Sequence, residues 1–196
     1  MEEYRLQEQP PVFNEPRRPQ PPMDVVTAVK KVLTTPGDYA GRSRRSEFWW
    51  FTGFYYVVSQ IVAMVAQAAF GLKVAAGAQI AVLAALTVPM MAVQVRRLHD
   101  TGRGSMLAWL FLVANIGMYG SIIALGDVIW QLAANPFDHS LAQSVTTGLL
   151  KTHGTAMSVL VTSSLGYIVF GLILLIFNLI DSEPGNNEYG PSPKYQ

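Results

Sequence analysis

Residues 155–180 read TAMSVLVTSSLGYIVFGLILLIFNLI, a run of 26 residues without a charge. A helix needs roughly 20 mainly apolar residues to cross the hydrocarbon core of a bilayer. Inside that core only helices and closed barrels satisfy their own backbone groups. The run therefore predicts a membrane-spanning helix. Working outward, three further stretches meet the same length: Phe48–Leu72, Val74–Val95 and Gly104–Gly126 carry no charge either. The composition agrees, with 51% hydrophobic and only 14% charged residues in 196, whereas soluble domains carry about a quarter charged. The fold class expected is all-α: a polytopic four-helix transmembrane bundle with a short N-terminal amphipathic helix. Its spans fall at about 48–72, 74–95, 105–126 and 155–180, within a domain over 23–195.

Lysine and arginine divide unevenly among the connections. Eight precede the first span, Arg96, Arg97 and Arg103 lie between the second and third, and Lys194 follows the fourth. The two alternate connections hold only Lys73 and Lys151. The positive-inside bias places the richer side, with both termini, in the cytoplasm. Residues 1–24 have no apolar core, so no cleavable signal peptide is expected and the first span acts as the insertion signal. The chain has no cysteine, which removes disulfides and thiolate metal sites.

Residues 1–22 are polar and proline-rich, and read as a solvated cytoplasmic tail. Asp24 is a natural N-cap for a helix ending near Thr34. Its Val25, Val26, Val29, Val32 and Leu33 share one face, fitted to the membrane interface or to the protein's own loops. Thr35-Pro36-Gly37-Asp38 ends it. Trp49 and Trp50 suit the headgroup belt. Gln60 and Gln67 share a face with Met64, and interhelical hydrogen bonds are expected of them. Gly77, Ala81 and Ala85, and the pairs Gly117/Ser121 and Gly120/Ala124, are small-residue repeats that permit close helix approach. Pro89 removes one backbone donor within the second span. Residues 127–154 form an outer loop, with a turn at Asn135-Pro136 and a short amphipathic helix carrying Leu141, Val145 and Leu149. His139 and His153 lack a nearby carboxylate pattern and do not make a metal site.

Three polar segments adjoin spans and topology brings them to one side: Gly41–Trp49 (GRSRRSEFW), Arg96–Gly104 (RRLHDTGRG) and Asn178–Pro193 (NLIDSEPGNNEYGPSP). Together they define a candidate cytoplasmic polar cluster of Arg42, Arg44, Arg45, Glu47, Arg96, Arg97, His99, Asp100, Arg103, Asn178 and Asp181. Gly102 is a natural helix stop, which puts Arg96, Arg97 and His99 at a helix C-terminus, where cations are favoured. Glu47 and Asp181 are each expected to pair with Arg96, Arg97 or His99. The His99-Asp100 dipeptide invites a catalytic reading. No serine or cysteine nucleophile signature accompanies it, and a capping role is preferred. A further reading is lipid headgroup binding by Arg42, Arg44, Arg45 and Arg96.

These three segments, in this order, resemble the bacterial inner-membrane family known as domain of unknown function 805, over about Tyr39–Pro193. The resemblance implies the fold and the location and no activity. The proline-rich tail and the long outer loop depart from the pattern. The leading functional reading is a structural or accessory subunit, not an enzyme, that contacts membrane-protein partners, further copies of itself and anionic membrane lipids. The alternative is a small pore or transporter formed by oligomerisation, against which stands the absence of ionisable residues within the spans. An inner-leaflet enzyme is the third reading. No cofactor, metal or nucleic acid is expected.

Overall fold

The structure is a computed structural model that describes residues 18–135, 140, 143, 148 and 151–195. Six helices with defined bounds account for most of these residues. They are α1 (Val25–Thr34), α2 (Arg45–Phe70), α3 (Leu72–Asp100), α4 (Met106–Ala124), α5 (Gly126–Ala134) and α6 (Gly154–Leu179). Among the described residues, α2, α3, α4 and α6 are the four helices long and apolar enough to cross a membrane. The all-α bundle is therefore as expected, with one addition. The start of the expected outer loop, Gly126–Ala134, is helical. The uncharged-run criterion missed it because a helix this short does not span. The amphipathic segment with Leu141, Val145 and Leu149, and His139, lie outside the described residues.

The helices outrun the uncharged segments at one end. Helix α2 begins at Arg45 and α3 runs on to Asp100. At 1.5 Å per residue, the 29 residues of α3 reach about 44 Å, well beyond the ~30 Å hydrocarbon core. The surplus is charged and forms a polar end shared by the starts of α2 and α4 and the ends of α3 and α6. Burial concentrates there: every residue from Met91 to Asp100 is buried.

Chain-adjacent spans pair. Helix α2 packs along α3 and α4 along α6, while contacts between these hairpins are sparse. The second hairpin closes on glycine: a Cβ at Gly117 would lie 3.1 Å from Ser163 Cβ, so only a bare backbone permits that approach. The other small-residue repeats do not serve as expected. Gly77, Ala81, Ala85, Gly120 and Ala124 face outward. Gln60 and Gln67 also face outward, because the hairpin contact uses the opposite side of α2, through Phe51, Ser59 and Ala66.

Helix α1 forms as read. Thr27 N donates to Asp24 Oδ1 at 3.0 Å, and Thr35 closes the far end. It packs on α2 and α3 through Val32, which joins Phe48, Phe51 and Val93 in a buried cluster. Val26 and Leu33 remain exposed, so the helix covers the bundle with one side and shows apolar residues on another. The stretch before it is held. Gln20 N donates to Lys194 O at 2.7 Å, Met23 N to Ser46 Oγ at 3.1 Å, and Trp50 Nε1 to Met23 O at 3.0 Å. Residues 18–22, expected in a solvated tail, run as an extended segment against the C-terminal segment, with Pro19 bridged to Tyr195. Beyond α6, β1 (Asn186–Asn187) and β2 (Gly190–Pro191) form a small antiparallel hairpin, Asn186 opposite Pro191.

Candidate functional site: a buried polar clasp

Helix α3 ends in a Schellman motif. Gly102 N donates to His99 O at 3.1 Å and Arg103 N to Leu98 O at 3.0 Å, with Gly102 at φ +66°. This is the glycine stop the sequence suggests. It aims the last two turns of α3 at the segments before α2 and after α6.

Two ion clusters result, each a carboxylate between two cations. In the first, Glu47 is fully buried and accepts from Arg96 at 3.0 Å and from Lys31 at 2.6 Å. In the second, Asp100 is fully buried and accepts from Arg42 Nε at 3.0 Å, from Arg97 and from the Ser182 hydroxyl. Each cluster has one more positive charge than negative. Backbone carbonyls take up the surplus. Arg96 donates to Asp38 O at 2.6 Å. Arg42 reaches Gly185 O at 2.9 Å, Glu183 O at 2.6 Å and Gly190 O at 3.2 Å. Arg97 donates to the carbonyls of Ile180 and Asn178. Two of these carbonyls, Asn178 O and Ile180 O, lie at the C-terminal end of α6, where the helix dipole is negative. Among the described residues, Arg96 Nε, Arg97 Nε and the hydroxyls of Ser43 and Ser192 are buried without a hydrogen bond.

The remaining members of the cluster surround this pair. Gln94 and Asn178 exchange two amide hydrogen bonds, at 3.1 and 3.2 Å, tying α3 to α6. His99 stacks on Tyr189 with centroids 3.8 Å apart, and its Nδ1 lies 3.1 Å from Gly41 O. Arg103 lies over the Phe177 ring at 4.1 Å. Arg44 donates to Gln20 O. Arg45 is half-exposed and meets Asp181 at 3.3 Å. Asp181 also bonds Lys194. The Lys194 ammonium holds the Asp181 carboxyl below its ordinary value, and that bond in turn raises Lys194.

All eleven residues of the candidate cluster thus lie at the polar end. The expected pairing holds for Glu47, through Arg96, and fails for Asp181. The latter faces outward beside Arg45 and Lys194, while Arg97 turns inward to Asp100. Of the four arginines read as headgroup contacts, Arg42 and Arg96 are buried and bonded to internal acceptors. Sequence reasoning missed Lys31, Gln94 and Ser182. Glu47 carried a hint of the first, since a buried carboxylate needs compensation. Among the described residues no three histidine or acidic groups gather to hold a metal.

Comparison with known proteins agrees with this architecture. Inner membrane protein YhaH of Escherichia coli (strain K12) is 26% identical over 169 residues, covering 85% of this chain and 95% of that protein. Inner membrane protein YhaI of the same strain is 38% identical over 79 residues, covering 40% of this chain and 65% of that protein. The chain therefore spans under two thirds of the length of YhaI. No solved structure matches. The family model described as "Protein of unknown function (DUF805)" matches residues 37–191, a stretch that contains the four spans, the first two polar segments and all but the last two residues of the third. With that match over most of its length, this integral inner-membrane protein belongs to the DUF805 family.

Proposed function

We propose that the protein is a non-catalytic accessory subunit of the inner membrane. Its polar end and both termini face the cytoplasm, and there it contacts membrane-protein partners and anionic lipid. The observation that carries the reading is the saturation of the clasp. Asp100 and Glu47 are fully buried and each is held between two cations. A general acid or base needs an open approach for its substrate, and neither carboxylate has one. The residues most suggestive of chemistry are engaged in holding helix ends together.

The cations that stay exposed at this end fit lipid and protein contact. Lys30, Arg45 and the half-exposed Lys31 lie at the same end as Val26 and Leu33 on α1. Basic residues beside outward apolar ones are the pattern of an interfacial helix. Each such cation contributes about 1 kcal/mol toward an anionic leaflet. The uneven lysine and arginine distribution supports the orientation. A second reading, a pore of several copies, draws on the outward stripe of Gly77, Ala81 and Ala85. Affinity purification in a mild detergent, with mass spectrometry of bound protein and lipid, tests both. A stoichiometric foreign subunit and anionic lipid, the lipid reduced by Lys30→Gln with Arg45→Gln, is expected. A ring of identical chains would favour the pore. A lone monomer carrying lipid in membrane-average proportion would overturn both.

A further inference from the structure

The two hairpins meet at the clasp and diverge below it, leaving a cavity of about 490 Å³ walled by α2, α3, α4 and α6. That volume lies in the range of small-molecule sites. The lining is mostly aliphatic and aromatic, with six polar side chains: Tyr55, Tyr56, Thr87, Asn115, Tyr119 and Tyr167.

Their depth is unusual. Tyr55 lies 10 residues past the start of α2, Tyr119 13 past the start of α4, and Tyr167 12 before the end of α6. At 1.5 Å per residue these positions are about 15 to 20 Å from the polar end, within the hydrocarbon layer. Tyrosine ordinarily sits at the headgroup level, and a hydroxyl in hydrocarbon needs a partner. The internal partners serve only part of this set. Tyr55 pairs with Thr87 and Tyr56 with Tyr167. Thr87 and Asn115 already donate to Leu83 O and Phe111 O on their own helices, each at 2.7 Å. Tyr119 adjoins Tyr167 without a hydrogen bond among the described residues. Tyr167 also stacks on Phe111, centroids 5.0 Å apart, offering a flat aromatic wall. The cavity is open on one side, where Ile116, Ile123 and Tyr56 are more than half exposed.

A ligand for this site must enter from lipid, carry its polar atoms at mid-membrane depth and accept hydrogen bonds from phenols on facing walls. A phospholipid does not meet these demands, since its ester and phosphate groups stay at the surface and only methylenes would reach the tyrosines. A flat ring with two carbonyl oxygens on a hydrocarbon tail does. We infer that the cavity binds one isoprenoid quinone, its ring against Phe111 and Tyr167, its carbonyls accepting from the tyrosine hydroxyls, and its tail leaving through the side opening into lipid. The inference rests on the membrane-spanning bundle and is independent of the accessory role, which is tested by protein partners.

The test uses the full chain extracted into polymer nanodiscs without detergent. Organic extraction and chromatography would count quinone per chain, and decylubiquinone binding would be measured by equilibrium dialysis. About one quinone per chain is expected. Tyr119→Phe with Tyr167→Phe, which keeps both rings, should weaken decylubiquinone binding about tenfold or more. Ala84→Trp, which fills the cavity, should abolish it. Decanol, which has the chain without the ring, should not compete with decylubiquinone on the wild type. Extraction of phospholipid alone, equal decylubiquinone binding by the Tyr→Phe variant, or displacement by decanol would each overturn the inference, and the decanol arm needs no variant.

Discussion

Asp100→Asn is the most discriminating change in the clasp. It conserves shape and one acceptor while removing the carboxylate that sits between Arg42 and Arg97. Those guanidiniums are 1% and 0% exposed, so neither can turn to water. Stranding buried charge in this way typically costs 3–5 kcal/mol. For a domain of 150–250 residues each kcal/mol is worth about 2–4 °C, so the midpoint should fall by about 6–20 °C. Tryptophan fluorescence during a thermal scan in mild detergent would read it. The double variant Asp100→Leu with Arg97→Met removes charge from both sides and should lose less than the two single changes added, with a coupling of about 1–3 kcal/mol. A shift below about 2 °C for Asp100→Asn, or strict additivity in the double variant, would refute the view that this ion cluster holds the helix ends.

Three other expectations are readily checked. Gly102→Ala should destabilise by about 1–2 kcal/mol, since a side chain at φ +66° is strained and its Cβ would come 2.6 Å from Glu183 Oε1; Gly102→Asn should cost less in the same thermal scan. His99→Gln should be made in normal amount and support the cellular phenotype, whereas Arg96→Ala, which strips a 3.0 Å partner from Glu47, should lower yield severalfold; a His99→Gln protein that is abundant but inactive would restore the catalytic reading. In the cysteine-free chain, cysteine at exposed residue 151 should react with an impermeant thiol reagent in intact cells and cysteine at exposed residue 30 should not; the reverse labelling would invert the proposed topology.

The spans were legible because a bilayer imposes a length and a chemistry that show in one dimension. Residues 155–180 need no partner to be recognised. The helix stop at Gly102 was legible for a similar reason, since both hydrogen bonds of its motif are local. Beyond Glu47 with Arg96, the pairings in the clasp were not. Sequence places Glu47, Asp100 and Asp181 at one end of the bundle and leaves their partners open, because angstrom-scale placement decides them. Arg97 could have met Asp181. It meets Asp100 because the fold also offers it the carbonyls of Asn178 and Ile180, and backbone acceptors carry no residue signature. Packing faces were misread for a related reason. Gly77, Ala81 and Ala85 are small, and small residues suit lipid as well as a neighbouring helix.

The position of the clasp bears on how the bundle is specified at all. Between helices in lipid there is little hydrophobic driving force, because a methyl group on a neighbouring helix is no more apolar than a lipid tail. Close backbone approach joins α4 to α6 at Gly117, and a short connection at Gly71 keeps α2 beside α3. Neither device tells one hairpin where to stand against the other. The polar end supplies that information. Arg42 precedes α2, Arg97 and Asp100 end α3, and Ser182 and the Ile180 carbonyl follow α6, so one buried network satisfies its charges only when both hairpins are present in a single arrangement. Buried ionic groups contribute little net stability against an apolar replacement but heavily penalise alternatives that leave one unpaired. Holding the hairpins at one end also relieves the rest of their length of any need to touch. The helices are then free to part around Tyr55, Tyr119 and Tyr167, and a cavity at that depth persists because the fold is secured elsewhere.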